Sequence, residues 1–151
     1  MRALVTGATG FLGGHVVDAL GARGHETRVL ARATSRTEDL EARGLEVVRA
    51  SFDDAESLRR ALRDVDVVVH AAGGGIAKDV AALYRANTRS TRALLEAAPS
   101  SLRRFVLVSS IAAHGPSAEG RAADGTQPDA PRSHYGKSKL AAERAALERA
   151  G

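Results

Sequence analysis

Three glycines spaced three residues apart restrict the fold of this 151-residue chain more than any other feature. They are Gly7, Gly10 and Gly13, and they follow a short apolar run, Arg2–Thr6, that is typical of a buried β-strand. A helical pattern of apolar residues follows directly, over Phe11–Arg23. A strand, a tight glycine turn and a helix in this order predict the start of a β-α-β unit, in which the helix crosses over to a second, parallel strand.

The same alternation of strand and helix continues along the chain. Further strands are predicted at Thr27–Ala31, Leu45–Arg49, Val65–His70 and Arg104–Ser109. Helices are predicted at Thr37–Arg43, from a cap at Asp54 to about Arg63, at Ala77–Ala98 and at Ser133–Arg149, with a polar loop over Ile111–Arg132. This pattern predicts an α/β fold with a doubly wound parallel sheet of the Rossmann type, about five strands in one domain over residues 1–151.

Each glycine has a separate role in a loop of this kind. Gly7 allows the tight turn, Gly10 lets the backbone approach a pyrophosphate, and Gly13 lets the helix lie close to the strand. The free N–H groups and the positive dipole end at the helix start favour a phosphate. We therefore expect the loop to bind the pyrophosphate of NAD(P) through Gly7, Thr9, Gly10, Phe11, Leu12 and Gly13. An ordinary glycine turn is the alternative, and the position between a strand and a helix disfavours it.

The end of the second strand bears on which dinucleotide is bound. NAD-binding sheets place an acidic residue there to bind the adenosine ribose hydroxyls, and this chain has none. Arg32 occupies that place, with Ser35 and Arg36 nearby. A guanidinium group forms charge-assisted, bidentate contacts with a phosphate, although a solvated arginine is the simpler alternative. The sequence favours NADP(H) over NAD(H).

A tyrosine and a lysine at helical spacing suggest proton transfer. Tyr135 and Lys139 are four residues apart at the start of a predicted helix, so their side chains share a face, whereas Lys137 faces elsewhere. An ammonium group close to a phenol favours the phenolate, which can exchange a proton with a carbonyl or alcohol. At the end of the fifth strand, Ser109 or Ser110 could stabilise charge on a carbonyl oxygen. A serine that only caps a turn is the alternative for each.

Together these residues resemble the extended branch of the short-chain dehydrogenase/reductase superfamily, which includes NAD(P)-dependent epimerases, dehydratases and dihydroflavonol-reductase-like enzymes. The glycine loop matches TGxxGxxG, Tyr135 and Lys139 match YxxxK, and Ser109–Gly115 is similar to the branch's Ser-Ser-x-x-x-(Tyr/His)-Gly segment. The resemblance implies hydride transfer between nicotinamide and a carbonyl or alcohol. It implies that Tyr135 is the general acid/base, that Lys139 supports it and holds the nicotinamide ribose, and that Ser110 orients the carbonyl.

The resemblance assigns roles to further positions. It places cofactor contacts at His70, Ala71 and Ala72 after the fourth strand, and at Ser51 and Phe52 after the third. The serine stands where the family usually has an aspartate that binds the adenine amine. Asn87 matches the asparagine in the helix below the active site and joins the catalytic set.

Composition and charge argue against several other functions. The net charge is +4, but the arginines are scattered beside acidic residues and only 3% of residues are aromatic, so we expect no nucleic-acid partner. No apolar run approaches the roughly 18 residues that span a bilayer, so we expect no membrane partner. The chain has no cysteine, and its five histidines lack a ligand spacing, so we expect no metal and a cytoplasmic location.

The extended family members are longer than this chain. We therefore expect the later strands and the substrate-binding region to be missing from it. The resemblance implies a small-molecule carbonyl or sugar-nucleotide-like substrate, and a homodimer through the helices at 77–98 and 133–149. Two alternatives stay open: a non-catalytic NAD(P)-binding or sensing module, and an inactive truncated fragment.

Overall fold

A five-stranded parallel sheet dominates the first part of the chain in a computed structural model, which describes residues 1–75, 79–117, 122 and 124–150. The strands are β1 (Arg2–Thr6), β2 (Glu26–Ala31), β3 (Glu46–Arg49), β4 (Val67–His70) and β5 (Arg104–Leu107). Their order is β3-β2-β1-β4-β5. In the register, Val5 of β1 pairs with Val29 on one side and Val69 on the other. The predicted α/β class and parallel five-stranded sheet are confirmed.

Seven α-helical segments and one π-helical segment are described. They are α1 (Phe11–Gly21), α2 (Glu38–Ala42), α3 (Ala55–Ala61), α4 (Val80–Tyr84), the π-helix Arg85–Arg89, α5 (Ser90–Ala97), α6 (Ile111–His114) and α7 (His134–Ala150). Asp54 caps α3 as predicted, because its carboxylate accepts hydrogen bonds from the N–H groups of Glu56 and Ser57. None of the helices in the described ranges is long and apolar enough to cross a membrane.

The helix predicted over 77–98 differs from expectation. Residues 77 and 78 lie outside the described part, and the π-helix separates α4 from α5. At the start of α5, the Ser90 hydroxyl donates to the carbonyl of Ala86 in the π-helix (2.7 Å), and the Thr91 hydroxyl donates to the carbonyl of Asn87 (2.7 Å). Such hydroxyl groups compete with the backbone for the same carbonyls, which explains the departure from a regular α-helix.

The segment predicted as a loop over 111–132 also differs, since it begins with the single turn of α6. The turn forms because Ser110 serves as its N-cap, with its Oγ accepting a hydrogen bond from the N–H of Ala112 (3.2 Å). Residues 118–121 and 123 lie outside the described part. Three strands are shorter than predicted: β3 begins at Glu46, β4 begins at Val67, and β5 ends at Leu107.

The chain divides into two compact units. The first comprises residues 1–72 and 93–108, and the second comprises the described residues of 73–92 and 109–151. The prediction of a single domain over residues 1–151 therefore stays a prediction. In the first unit, Leu4 of β1 packs in one apolar cluster with Leu58 and Leu94, whereas the next residue, Val5, packs in another with Val17 of α1. Successive residues of β1 therefore face two separate cores, as in a sheet that is covered on both faces.

A buried arginine joins the sheet of the first unit to the end of α3. Arg28 on β2 is 8% exposed, and its Nη1 donates to the carbonyls of Ala61 (2.8 Å) and Arg63 (2.7 Å). Its Nε lies 2.9 Å from a carboxylate oxygen of Glu46, as an ion pair without hydrogen-bond geometry. The guanidinium thus satisfies carbonyls at the helix C-terminus, where a positive charge is favourable.

Candidate functional site

The turn after β1 is built from contacts that only glycine permits. Gly7 has φ of +74°, and a Cβ on it would lie 2.6 Å from the amide nitrogen of Ala72. A Cβ on Gly13 would lie 2.1 Å from the carbonyl oxygen of Gly7. Gly13 therefore lets the start of α1 press against the turn at the strand's end, and the segment after β4 closes on the other side of that turn.

Gly10 is different from its two neighbours in the motif. A Cβ there would meet one atom, the carbonyl oxygen of Gly7 at 3.3 Å, and the residue is exposed. Its own N–H donates to that same carbonyl (2.9 Å). Internal packing therefore constrains Gly10 less than Gly7 or Gly13, and its open side leaves room for a ligand to approach the backbone.

The start of α1 offers unused hydrogen-bond donors. Gly10 is the N-cap and provides no side-chain cap, and the first turn holds no acidic residue. Within the described residues, the N–H groups of Phe11, Leu12 and Gly13 have no acceptor. Orphan donors at a helix start together with the helix dipole bind anions, so this turn fits a pyrophosphate. Thr9 and Phe11 beside it are exposed, Phe11 by 86%.

Thr6 is the first residue of the glycine motif, and the sequence analysis gave it no role of its own. Its hydroxyl shares a hydrogen bond with Nδ1 of His70 (2.6 Å) and accepts one from the N–H of Ala72 (3.1 Å). His70 ends β4 and is fully buried, with its ring 5.8 Å from that of Phe52 between centroids. The ring of His70 therefore lies in the core, and the cofactor contact predicted for this residue stays a prediction that could involve only its backbone. The signal for Thr6 was its place directly before the glycine turn.

The ends of β2 and β3 carry the other predicted contacts of the first unit. Arg32 is exposed, and its side chain makes no hydrogen bond or ion pair within the described ranges. Ser51 is also exposed, and its Oγ accepts a hydrogen bond from the N–H of Asp53 (3.2 Å). Phe52 is half-buried and packs against the core. The exposed side chains of Arg32 and Ser51 are thus accessible to a ligand.

Ser110, Tyr135, Lys139 and Asn87 all belong to the second unit. The start of α7 approaches α6 through Gly136, where a Cβ would lie 2.1 Å from the carbonyl oxygen of Ala112. Ser133 caps α7, since its Oγ accepts from the N–H of Gly136 (3.0 Å). The absence of a side chain at Gly136 therefore lets the helix that carries Tyr135 pack against the turn that Ser110 begins.

An amide clamp holds the first turn of α7. The Asn87 side chain accepts from the N–H of Gly74 (3.0 Å) and donates both to the carbonyl of Gly74 (2.9 Å) and to Ser138 Oγ (2.9 Å). The Ser138 hydroxyl in turn donates to the carbonyl of Tyr135 (2.7 Å). Asn87 was predicted in the catalytic set; its amide is engaged with these protein groups, and its catalytic role stays a prediction. Ser138 was missed, although its place directly before the lysine was a visible signal.

Lys139 is 5% exposed, which is unusual for a lysine. Burial lowers the pKa of its ammonium group, and the negative charge of Glu143 one turn further along α7 opposes that shift. A Cβ on Gly73 would lie 3.6 Å from Nζ of Lys139 and 2.7 Å from Oδ1 of Asn87. Lys137 is exposed, as the helical spacing predicted.

The structure distinguishes the two serines that the sequence left open. Ser109 Oγ is buried and has no hydrogen-bond partner within the described residues. The Ser110 hydroxyl accepts a hydrogen bond as an N-cap, which leaves its own proton to donate. The Tyr135 side chain is half-buried, and its hydroxyl makes no hydrogen bond to the part of the chain that the structure describes. Ser110 and Tyr135 thus each keep a proton to donate, whereas the hydroxyl of Ser109 is buried away from solvent.

Metal ligands do not gather in the described ranges. No group of three histidine, cysteine, aspartate or glutamate side chains lies close enough together there to hold a metal ion.

Comparison with other proteins relates these features to a family. The family model described as NAD dependent epimerase/dehydratase matches residues 3–150. The ceramide reductase of Caulobacter vibrioides is 39% identical over 144 residues, which cover 93% of this chain and 40% of the reductase. The putative dihydroflavonol 4-reductase of Synechocystis is 35% identical over 114 residues, covering 74% of this chain and 33% of that protein.

Solved structures are similar over the same region. The crystal structure of gox2253 is 33% identical with a TM-score of 0.88, and the match covers 97% of this chain and 46% of that one. The UDP-glucose 4-epimerase of Thermus thermophilus in complex with NAD is 34% identical with a TM-score of 0.84, covering 95% of this chain and 49% of the epimerase. The chain spans less than half the length of each of these four relatives.

The contrast between the glycines of the turn can be tested. Gly13→Ala should lower the free energy of unfolding by about 1–3 kcal/mol, because the new Cβ overlaps a backbone carbonyl that must shift. Gly10→Ala should cost less than about 1 kcal/mol and should instead weaken dinucleotide binding. Urea unfolding of both variants checks the first expectation, and equal losses of stability would contradict the packing argument.

The burial of Lys139 predicts a pH dependence of stability. Since its pKa in the folded chain is lowered, the unfolded chain binds the proton more readily between that pKa and the ordinary value of 10.5. Stability of the wild type relative to Lys139→Met should therefore rise with pH through this window. Urea unfolding at a series of pH values measures the difference in the free energy of unfolding between the wild type and the variant. Lys137→Met, which removes an exposed charge from the same turn, is the control, and a level or falling difference for Lys139→Met would refute the expectation.

Proposed function

Because this chain belongs to the NAD-dependent epimerase/dehydratase family, we propose that it forms part of an NAD(P)-dependent oxidoreductase or epimerase/dehydratase of the short-chain dehydrogenase type. The observation that carries the proposal is the clamp through Asn87 and Ser138, which fixes the turn bearing Tyr135 and Lys139. A module that only binds or senses a dinucleotide has no need of a held tyrosine and a buried lysine, so the clamp favours catalysis.

The proposed chemistry divides between the cofactor and the protein. When bound, the nicotinamide supplies or accepts the hydride. Tyr135 gives a proton to the carbonyl oxygen, or takes one from the alcohol, at its phenol oxygen. Ser110 donates a hydrogen bond to the same substrate oxygen as charge develops on it. The ammonium group of Lys139 favours the phenolate form of the tyrosine by its positive charge.

The proposed cofactor contacts follow from the fit of the glycine turn. The free N–H groups of Phe11, Leu12 and Gly13 bind the pyrophosphate, and the exposed Thr9 lies beside them. Ser51 keeps an exposed hydroxyl that can accept a hydrogen bond from the adenine amine. Ala71 and Ala72 stay proposed lining residues through their backbone, since the turn packs against them.

The catalytic role of Tyr135 predicts a specific loss of activity. In the longer protein of which this chain would be a part, Tyr135→Phe should lower turnover about 10²- to 10⁴-fold, because it removes the group that transfers the proton. Affinity for the cofactor should change less than about twofold, since the ring remains. Tyr84→Phe, which changes the second of the two tyrosines, is the control.

Unchanged turnover in Tyr135→Phe would contradict the proposed role. A wild-type protein that binds the cofactor but turns over none of a broad panel of alcohols and carbonyls would instead favour the sensing module.

We propose NADP(H) as the preferred cofactor. Two observations support it: no acidic residue ends β2, and Arg32 there is exposed with an unengaged guanidinium within the described residues. The 2′-phosphate of NADP(H) can accept a bidentate, charge-assisted contact from such a group. The Thermus thermophilus epimerase was solved with NAD, so the proposed preference belongs to this chain and not to its relatives in general.

The preference predicts a difference between two titrations. NADPH should bind at least about tenfold more tightly than NADH, since a hydrogen bond to a charged group contributes about 1.5–3 kcal/mol. The rise in nicotinamide fluorescence on binding measures the affinities for NADPH and for NADH. Arg32→Met should reduce the ratio of the two affinities, whereas Arg23→Met, in the turn after α1, should preserve it. Tighter binding of NADH by the wild type would reject the preference.

The substrate and the assembly are proposed more broadly. A small-molecule carbonyl or a sugar-nucleotide-like compound fits the reaction, and the relatives include a ceramide reductase and a UDP-glucose 4-epimerase. A homodimer through the helices in 77–98 and 133–149 also remains a proposal, supported by the alanines in both segments, which permit close approach of helices.

A further inference from the structure

An arginine at the end of β3 reaches across to the loop that follows β2, and both lie in the first unit. The Nη1 group of Arg49 donates to the carbonyls of Arg32 (2.9 Å) and Ser35 (2.7 Å). Its Nη2 group donates to the hydroxyl of Thr37. The N–H of Ser35 closes a turn onto the carbonyl of Arg32 (3.0 Å). One guanidinium group therefore joins the beginning, middle and end of a six-residue loop, residues 32–37.

The far end of this loop is anchored in its turn. Thr37 is 1% exposed and is the N-cap residue of α2. Its hydroxyl donates to the carboxylate of Glu41 (2.8 Å), which lies 3.6 Å from Nη2 of Arg49. The positive charge of Arg49 is thus partly balanced at the α2 end of the loop. Both terminal nitrogens of the Arg49 guanidinium group, Nη1 and Nη2, therefore already donate to oxygen atoms of the loop.

The loop presents two other arginines whose side chains are not engaged. Arg32 and Arg36 are exposed, and neither makes a side-chain hydrogen bond or ion pair within the described ranges. The bond from Arg49 to the carbonyl of Arg32 fixes the backbone from which that side chain projects. A group that is already held in place loses less conformational entropy when it binds a ligand, so fixing the loop increases the affinity for an anion there.

We propose that Arg49 is a positioning residue for selectivity toward a 2′-phosphorylated adenosine, acting through the backbone of the loop over residues 32–37. The inference rests on the proposed function, in particular on the choice of NADP(H). Arg49 differs from Arg32 in its role, because Arg32 offers its guanidinium to the phosphate and Arg49 uses its own to hold the loop. Lysine could replace Arg49 only in part, since a single ammonium point charge lacks the planar fork that reaches all three oxygens.

A purely structural role for Arg49 makes a different prediction. If it only supported the packing of β3 and α2, its loss would weaken every adenine nucleotide to the same extent. If it positions the loop for the 2′-phosphate, its loss should weaken only ligands that carry that phosphate. The ratio of two affinities therefore separates the two roles, whereas a melting temperature alone would not.

The test compares adenosine 2′,5′-bisphosphate with adenosine 5′-monophosphate, which differ only in the 2′-phosphate. Both are titrated by calorimetry into the 151-residue chain as wild type, Arg49→Met and Arg49→Lys. Arg43→Met is the matched control, because Arg43 is a similarly exposed arginine at the end of α2 that pairs with Asp18. It removes the same charge nearby without touching the loop.

In the wild type, the bisphosphate should bind more tightly than the monophosphate. Arg49→Met should weaken the bisphosphate about fivefold and the monophosphate less than about twofold, because the released loop must then be ordered when the 2′-phosphate binds. For Arg49→Lys, the loss of affinity for the bisphosphate should lie between that of the wild type and that of Arg49→Met. Arg43→Met should preserve the wild-type ratio of the two affinities. Thermal unfolding of each variant establishes that it is folded at the titration temperature. If Arg49→Met is not folded at that temperature, Arg49→Lys serves as the test variant.

Three results would overturn the inference. A wild-type preference that survives in both Arg49 variants, or an equal loss of both ligands, would reject the role of Arg49 and leave the proposed cofactor intact. An equal fall of the ratio in Arg43→Met would show that net charge alone is responsible. A wild type without any preference would reject the proposed cofactor choice itself, together with the inference that rests on it.

Discussion

Backbone contact at the turn after β1 is the constraint on which the first unit depends. Around Gly7, the start of α1 and the segment after β4 approach so closely that no side chain fits between them. The hydroxyl of Thr6 strengthens the same junction, because it binds both the ring of His70 and the N–H of Ala72. The same turn ends at the start of α1, where three peptide N–H groups have no acceptor among the described residues, and such groups favour a phosphate.

Polar side chains hold backbone groups at several places in both units. Asn87 binds both backbone groups of Gly74, Arg28 binds two carbonyls at the end of α3, and Arg49 binds two carbonyls of the loop over 32–37. Each of these groups satisfies carbonyl or amide groups that would otherwise depend on water. The turn that carries Tyr135 is one of the segments whose backbone is held in this way.

Much of this arrangement was predictable because it depends on local pattern. Alternating apolar runs placed the five strands within two residues at each end, and the cap at Asp54 and the exposure of Lys137 follow from helix geometry. The π-helix within the segment 77–98 was not predictable in this way. It depends on how the hydroxyls of Ser90 and Thr91 share carbonyls with the backbone, and apolar periodicity does not report that competition.

The sequence by itself determined the β-α-β start, the glycines of the turn and the four-residue spacing of Tyr135 and Lys139, because each is encoded within a few neighbouring residues. The tertiary structure decided what holds these groups in place. Asn87 meets Ser138 across 51 positions of chain, and Arg49 reaches Arg32 across 17. Such bonds form only after the strands and helices have packed. Their partners lie far apart in the sequence, so no local pattern predicts which side chains will meet.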